Sequence, residues 1–254
     1  MPRQSRDSEG LAHGDEPRER PSGPGPVVVA IAQRARKRLS SSMLVAASPL
    51  TAEAIVEATR GVAADMSFAV EPAAVDSLRV WLDQLAVWNA RLDLTAARSR
   101  VELLDLMLVD AVVMASRIPE GLTVVDVGTG AGAPGLALAI LRPDLRVTLV
   151  EPLVKRVSFL RTALSAIKRD DVSLLRMKSD ELKIRWDVAM ARATFPPPIW
   201  LDEGAALARA GGSVWVFLAK EPAPVHDNAT LAEDVTYSWP GTQVARRAVR
   251  YVVR

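Results

Sequence analysis

Acidic and glycine residues at one point in the chain have the spacing of a ligand-binding loop. The stretch VVDVGTGAGAPG, residues 124–135, is an apolar run that meets Asp126 and then continues through Gly128, Gly130 and Gly132. Because glycine has no Cβ atom and tolerates positive φ angles, the backbone of such a loop can approach a bound molecule closely. We therefore expect this loop to touch a flat or charged ligand directly through its backbone.

Two ligands compete for this loop. The run from Gly130 to Gly135 matches G-x-G-x-x-G, the fingerprint of dinucleotide binding, in which a pyrophosphate lies at a helix N-terminus. The alternative is S-adenosylmethionine, for which the motif begins at Asp126 and continues through Gly128, Gly130 and Gly132. A carboxylate before the first glycine repels a diphosphate, whereas it attracts the ammonium and sulfonium groups of S-adenosylmethionine.

Further acids follow the next two expected strands. Glu151 ends a strand about twenty residues after the loop, where a carboxylate can accept hydrogen bonds from both hydroxyls of an adenosine ribose. This position fits either cofactor and does not choose between them. Asp180 and Glu181 follow the third strand, where residues that flank adenine are found, although a solvated loop explains them equally well.

An alternation of strand-like and helical patterns from Leu122 onward predicts the scaffold that presents these residues. Short apolar runs alternate with amphipathic stretches, which is typical of a doubly wound parallel sheet in an α/β fold. The expected elements are TVVDV, a helix over 135–141, RVTLVE, a helix over 154–168, VSLLRM, WDVAMA, a helix near 201–208, GSVWVFLA, and two last strands over 235–239 and 244–253.

The sequence before this alternation is expected to be helical over residues 50–118. From Leu78 the apolar residues recur with the 3.6-residue period of a helix, at Trp81, Leu82, Leu85, Trp88 and Leu92. The segment 101–114 is apolar almost all round, which predicts a helix buried on several sides. Its acids, Asp105 and Asp110, then need polar partners, because an unpaired buried charge is costly.

Composition divides the chain into three parts. Residues 1–48 are rich in Pro, Gly, Ser, Arg and Glu, and we expect a disordered tail there. Met43 lies just before the periodic sequence, and one hypothesis is that the tail upstream of it is an over-extended start. A helical cap is expected over residues 49–118 and an α/β domain over residues 119–254.

Charge and composition exclude several classes of protein. The 254 residues carry a net charge of +2, are 49% hydrophobic and include no cysteine. The absence of cysteine excludes thiol nucleophiles and Cys-based metal sites, and it fits a reducing cytoplasm. No apolar run has the length of a membrane span, and the N-terminus lacks the pattern of a secretory signal. We expect a cytoplasmic protein with no membrane partner and no metal.

Basic residues occur in three clusters along the chain. Each cluster alone is typical of a solvated face, whereas several together leave room for a partner that carries phosphate. The clusters are Arg34, Arg36, Lys37 and Arg38; Lys155, Arg156 and Arg161; and Arg246, Arg247, Arg250 and Arg254.

A family resemblance extends over roughly residues 70–254. The segment VVDVGTGAGAPGLALAILRPDLRVTLVEPLVKRVSFLR (124–161) closely resembles the bacterial small-subunit rRNA guanine-N7 methyltransferases, the glucose-inhibited division protein B family. Upstream, LAVWNARLDLTA (85–96) is similar to the family's tryptophan-asparagine stretch, which ends in Asn-Leu-Thr. Downstream, MARATF (190–195) is similar to the family's Ser-Arg-Ala-Phe, and FLAKE (217–221) is similar to its Leu-Lys-Gly.

This resemblance implies a class I S-adenosylmethionine-dependent methyltransferase fold with a small helical N-terminal cap. It implies S-adenosyl-L-methionine as cofactor and a guanine N7 in 16S rRNA as substrate. The expected partner is therefore 16S rRNA or the 30S subunit, and we expect the enzyme to be a monomer. By the family pattern Arg192 would lie at the mouth of the site as the catalytic residue, and Lys220 would face the RNA with Lys155 and Arg156. The expected cofactor-binding residues are Asp126, Gly128, Thr129, Gly130, Gly132, Glu151, Asp180 and Glu181.

The chemistry of the implied acceptor needs few special groups. Guanine N7 has an in-plane lone pair and no proton to remove, so its methylation requires positioning more than a general base. The Arg192 guanidinium can lie against a phosphate or the guanine edge, or it can form a salt bridge with Asp126 or Glu151 that closes the loop. FPPP (195–198) has no side-chain acceptor before its prolines, so we expect a rigid loop there, biased against helix, rather than an amino-methylation motif.

The chain departs from the family pattern at several positions. Leu106 and Met107 stand where the family has Arg-His, Asp93 replaces an asparagine, and Glu221 replaces a glycine. These changes remove positive potential where a phosphate backbone would approach. Two alternatives therefore stay open: a methyltransferase with a different RNA or small-molecule acceptor, and a diverged paralogue that binds cofactor and associates with RNA without catalysing transfer.

Overall fold

The computed structural model describes residues 50–63 and 70–254. The predicted tail over residues 1–48, with its first basic cluster, lies outside the described residues. Three helices come before the sheet: α1 (Ala52–Ala63), α2 (Pro72–Leu92) and α3 (Arg100–Ala115). The apolar stripe that predicted a helix lies on α2, and the all-round apolar segment forms α3, which is buried along most of its length.

The predicted alternation of strands and helices follows. Each predicted strand is present, although β3 is shorter and β6 longer than the sequence pattern indicated. The elements are β1 (Thr123–Val127), α4 (Gly135–Leu141), β2 (Arg146–Val150), α5 (Val154–Ala166), β3 (Ser173–Leu175), β4 (Trp186–Ala191), α6 (Pro197–Leu207), β5 (Ala208–Leu218), β6 (Ala229–Ser238) and β7 (Ala245–Val253).

The seven strands form one mixed sheet in the order β3-β2-β1-β4-β5-β7-β6. Strands β1 to β5 are parallel, while β7 lies antiparallel between β5 and β6. The doubly wound α/β fold is thus confirmed, with an antiparallel hairpin added at one edge. The strand order changes direction between β1 and β4, and ligands of open α/β sheets bind at the carboxyl ends of strands at such a point.

Each face of the sheet carries its own hydrophobic core. Neighbouring strand residues point to opposite faces, so Val124 belongs to one core and Val125 to the other. Helices α1 to α5 pack on the first face, and α6 packs on the second through residues such as Trp200. The helices before the sheet therefore share a core with it.

The buried acids of α3 have the partners that the sequence required. Asp105 accepts hydrogen bonds from Gly241 N at 3.1 Å, Thr242 N at 2.8 Å and Thr242 Oγ1 at 2.6 Å. Asp110 accepts one from Tyr237 Oη at 2.6 Å. Both carboxylates thus attach α3 to the β6–β7 hairpin.

The expectation for the proline run was wrong. Pro197 begins α6, so two of the prolines that were expected to prevent a helix lie in its first turn. Proline is tolerated there because the first N–H groups of a helix have no intrahelical partner and the fixed φ angle of proline suits the helix.

The hairpin attachment can be tested by replacing Asp105 with alanine. We expect Asp105→Ala to lower the free energy of unfolding by about 2–4 kcal/mol, because the Gly241 and Thr242 donors lose their buried acceptor. Urea denaturation measures this loss. Asp76, whose side chain is 74% exposed on α2, is the control, and Asp76→Ala should change stability by no more than about 0.5 kcal/mol. Equal effects of the two substitutions would contradict the proposed role of Asp105.

Candidate functional site

The glycine loop lies between β1 and α4, at the carboxyl edge of the parallel strands. Its first residues are fixed to the neighbouring strand, since Gly128 N and Thr129 N both donate to Val150 O, at 2.8 and 3.1 Å. Glu151 follows Val150 directly. The structure therefore brings the predicted loop and the predicted ribose-binding acid together, as parallel neighbouring strands require.

Asp126, at the end of β1, is fully buried. Its Oδ2 atom accepts hydrogen bonds from Thr129 Oγ1 at 2.6 Å and Gly135 N at 2.8 Å. Its Oδ1 atom has no hydrogen-bond partner among the described residues. Burial raises the pKa of Asp126 from 3.8 to about 6, although the Thr129 and Gly135 bonds favour the charged form. A nearby cation would stabilise the carboxylate of such an acid.

Glu151 joins two loops through a carboxylate that is 1% exposed. Its Oε2 atom accepts from Gly130 N at 3.0 Å, and its Oε1 atom accepts from Leu153 N at 2.9 Å. The Arg156 guanidinium lies 3.5 Å away. The acid after β2 therefore sets the position of the glycine loop as well as that of the start of α5.

The glycines do not all face open space. Gly130, with φ of +63°, is the open one: a Cβ atom there would meet nothing closer than Gly128 O at 3.9 Å. At Gly128 a Cβ would lie 2.4 Å from Thr194 Oγ1, so the side chain of Thr194 covers that position. Gly130 is thus the glycine at which a ligand can approach the backbone.

The other two glycines serve packing within the protein. A Cβ at Gly132 would lie 2.9 Å from Leu136 Cβ, and one at Gly135 would lie 2.5 Å from Asp126 Oδ2. Gly135 therefore permits the close approach that lets Asp126 accept its N–H. The role of Gly132 in cofactor binding stays a prediction.

A contact that the sequence did not reveal reaches the loop from α2. Trp81 Nε1 donates to Ala131 O at 3.1 Å, across fifty positions of sequence. Trp81 was assigned to an apolar stripe, and it is indeed fully buried. The sequence indicated only that a buried indole N–H needs a hydrogen-bond acceptor. It did not identify that acceptor.

Arg192 follows β4 and lies near the same edge. Its Nη1 atom donates to Asp110 Oδ2 at 2.9 Å and also to Leu106 O. The salt bridge is therefore to Asp110 of α3, not to Asp126 or Glu151. Ala193, next in the chain, adopts a positive φ of 55°, a strained conformation for alanine that turns the chain after β4.

The remaining predicted site residues are exposed or half-buried. Asp180 and Glu181 lie in a short 3₁₀ helix after β3, where Glu181 accepts a hydrogen bond from Lys178 N at 2.6 Å. Lys155 is exposed in the first turn of α5, and Lys220 is exposed after β5. Backbone N–H groups of Glu221 itself, Ala219 and Lys220 hold the pKa of Glu221 below its usual range.

Two of the four arginines in the C-terminal basic cluster are paired with acids within the hairpin. Arg247 pairs with Asp234 at 2.5 Å, and Arg250 pairs with Glu233 at 3.1 Å. Arg246 lies over the Trp239 ring, 4.1 Å from its centroid. This cluster therefore adds less positive potential than its sequence indicated. Of the two positions at which the family resemblance predicted an Arg-His pair, Met107 is a core residue and Leu106 is half-buried.

Neither a metal site nor a membrane span is found in the described part of the chain. Residues 50–63 and 70–254 contain no group of three or more acids and histidines arranged to hold a metal ion. Across the same residues, no helix combines the length and the apolar character that crossing a membrane requires.

The sheet order, the glycine loop and Glu151 together define a class I methyltransferase fold. The family model GidB, described as rRNA small subunit methyltransferase G, matches residues 74–222. The chain therefore belongs to the rRNA small subunit methyltransferase G family.

Individual relatives agree with this assignment. Ribosomal RNA small subunit methyltransferase G of Anaeromyxobacter dehalogenans (strain 2CP-C) is 32% identical over 204 residues, which cover 76% of this chain and 94% of that protein. The protein of the same name from Thermobifida fusca (strain YX) is 43% identical over 109 residues, 42% of this chain and 46% of the relative. The crystal structure of TrmN from Thermus thermophilus has a TM-score of 0.44 at 20% identity, covering 60% of this chain and 48% of that one, a likeness too weak to add to the assignment.

The burial of Asp126 predicts a distinctive dependence of stability on pH. Because its pKa is raised in the folded protein, its stabilising contribution is complete below 3.8 and is lost as pH rises through about 6. Between about pH 4 and pH 7 the wild type should therefore lose up to roughly 3 kcal/mol of stability relative to Asp126→Asn. Urea denaturation across this range measures the difference.

Asp144 supplies the matched control. The Arg142 guanidinium holds the pKa of Asp144 below its usual range, so its contribution to stability is lost as pH falls. The wild type should thus gain stability relative to Asp144→Asn as pH rises. A difference of the same sign for both variants would contradict the assignment to Asp126.

Proposed function

We propose that the protein transfers a methyl group from S-adenosylmethionine to the N7 atom of a guanine in small-subunit rRNA. One observation carries this proposal. In a chain of this family, the backbone N–H of Gly130, the glycine with open space beside it, donates a hydrogen bond to the buried carboxylate of Glu151. The relatives' name, ribosomal RNA small subunit methyltransferase G, supports the substrate class.

The residues at the loop fit S-adenosylmethionine. Each Glu151 oxygen accepts one backbone N–H, and Oε2 also accepts a long hydrogen bond of 3.5 Å from Arg156 Nη1. A carboxylate has about four lone-pair sites, so one is left for a ribose hydroxyl, and a second hydroxyl could replace Arg156. Asp126 carries an unpartnered oxygen and a raised pKa, which suits a ligand with positive charge. A diphosphate would be repelled by Asp126, which argues against a dinucleotide.

The chain's own groups would act by positioning. S-adenosylmethionine, when bound, supplies the electrophilic methyl group. Guanine N7 offers a lone pair and needs no base, so the protein must hold the base in line and exclude water. Arg192 is fixed by Asp110 beside the end of β4, where its guanidinium can orient the guanine or a flanking phosphate. The carboxylates near the site would stabilise the cationic methylated base.

Cations at the carboxyl edge support an RNA partner: Lys155 and Lys220 are exposed, whereas Arg156 is half-buried and pairs with Glu151. Lys155, Arg156 and Lys220 follow the ends of β2 and β5, so they lie at the same edge of the sheet as the glycine loop. Cations there would bind the phosphates that position an RNA strand. We further infer that the substrate is 16S rRNA or the 30S subunit, that the enzyme acts as a monomer and that it acts in the cytoplasm.

A pair of glycine substitutions tests the cofactor site. Gly130 and Gly211 both have a positive φ, and at neither would a Cβ approach another atom closer than 3.9 Å. Leucine should therefore strain the backbone similarly at both, whereas only Gly130→Leu should block the ligand and weaken S-adenosylmethionine binding about ten- to hundredfold. Titration calorimetry measures the affinity, with NAD as the competing ligand.

The same variants then test methyl transfer. Wild type and Gly211→Leu should transfer label from S-adenosylmethionine to 30S subunits or 16S rRNA, at a guanine N7 found by reduction and aniline cleavage. Gly130→Leu should not. Label in small molecules or at another RNA position would exclude guanine N7, and bound cofactor without transfer would favour an inactive paralogue. Tight binding of NAD alone would overturn the cofactor assignment.

A further inference from the structure

We propose that Trp81 of α2 is a positioning residue for cofactor binding, because its indole N–H fixes the peptide group on one side of the open Gly130 position. This inference rests on the proposed function of the glycine loop. If it is correct, α2, which precedes the sheet, contributes to cofactor binding.

The peptide group between Ala131 and Gly132 is held at both ends. Its carbonyl oxygen accepts the hydrogen bond from Trp81 Nε1 at 3.1 Å, and its N–H donates to Thr129 O at 2.9 Å. The Trp81 indole is fully buried, so the bond is shielded from competing water. This peptide plane therefore has one orientation as long as α2 stays in place.

A second peptide group, on the other side of Gly130, is also held. The N–H of Gly130 donates to Glu151 Oε2 at 3.0 Å. Between the two held groups lies the peptide that joins Gly130 to Ala131. Among the described residues, no hydrogen bond connects its carbonyl or its N–H to the protein. A ligand over Gly130 would thus meet the unpaired Gly130–Ala131 peptide group, whose two neighbouring peptide groups are fixed by hydrogen bonds.

The two held peptide groups matter because the loop is rich in glycine. Gly130 and Gly132 have φ angles of +63° and +104°, and glycine loses more conformational freedom on ordering than any other residue. Without the Trp81 bond, part of the loop would become ordered only when the ligand binds, and the lost conformational entropy would weaken binding. Trp88, on the same helix, packs edge-on against Phe159 and so holds α2 against α5.

The chain supplies a matched control in Trp200. Its indole is also buried, and its Nε1 atom donates to Trp215 O at 2.8 Å. This bond joins α6 to β5 in the core on the other face of the sheet. Trp81→Phe and Trp200→Phe therefore each remove one buried indole hydrogen bond and keep an aromatic ring, but only the Trp81 bond reaches the glycine loop.

Titration calorimetry with S-adenosylmethionine tests the inference on the full chain. We expect Trp81→Phe to raise the Kd about three- to tenfold, while Trp200→Phe changes it less than about twofold. Thermal unfolding should show losses of similar size for the two variants. A purely structural role of Trp81 would lower the melting temperature without this difference in affinity.

The indole N–H resonances give a second, independent readout. The chain has six tryptophans, and the Trp81 signal is identified by its loss in Trp81→Phe. On addition of S-adenosylmethionine the Trp81 resonance should shift and the Trp200 resonance should not. Should Trp81→Phe fail to fold, the wild-type titration decides, with the Trp81 signal assigned from its proximity to Ala131.

The failures of the two proposals are distinguishable. Unchanged affinity of Trp81→Phe, or an unshifted Trp81 resonance in wild-type protein that does bind S-adenosylmethionine, would overturn the role of Trp81 alone. Absence of binding to the wild-type protein would overturn the proposed function and the Trp81 inference with it.

Discussion

The buried carboxylate of Glu151 is the constraint on which the site depends. Removing a carboxylate from water is costly unless hydrogen bonds replace the lost hydration. The replacements here are the Arg156 guanidinium and two backbone donors, the N–H groups of Gly130 and Leu153. Those two donors belong to the loops after β1 and β2, so satisfying the acid also fixes the two loops to each other. In the proposed function the same carboxylate also binds the ribose of the cofactor, so one group would serve both the fold and ligand recognition.

Helices α2 and α3, which precede the sheet, also contact its carboxyl edge. Trp81 of α2 reaches the glycine loop, and Asp110 of α3 holds both Arg192 and Tyr237. A half-buried arginine paired with a buried acid is fixed in place, but it offers less net charge to an approaching phosphate. Because Arg247 and Arg250 are paired with acids of β6, the exposed lysines at the carboxyl edge become more important for the proposed RNA partner.

The sequence predicted the features that depend on local pattern. The apolar runs gave the strands, and parallel strands share a carboxyl edge, so Asp126 and Glu151 could be placed near each other before any coordinates. The insertion of β7 between β5 and β6 could not be predicted from the sequence, because strand pairing depends on residues that are distant along the chain. The same limit applies to Trp81 and Asp110, whose partners lie far along the chain. The start of α6 at Pro197 was missed because proline stops a helix in its interior but not in its first turn.

Hydrogen–deuterium exchange with and without S-adenosylmethionine tests the central claim most directly. If Glu151 and the glycine loop together hold the cofactor, its addition should slow exchange in the backbone over residues 128–135 and 151–156. The C-terminal hairpin, on the far side of β5, should show little change. Protection that falls on the hairpin while the glycine loop exchanges as before would contradict the account.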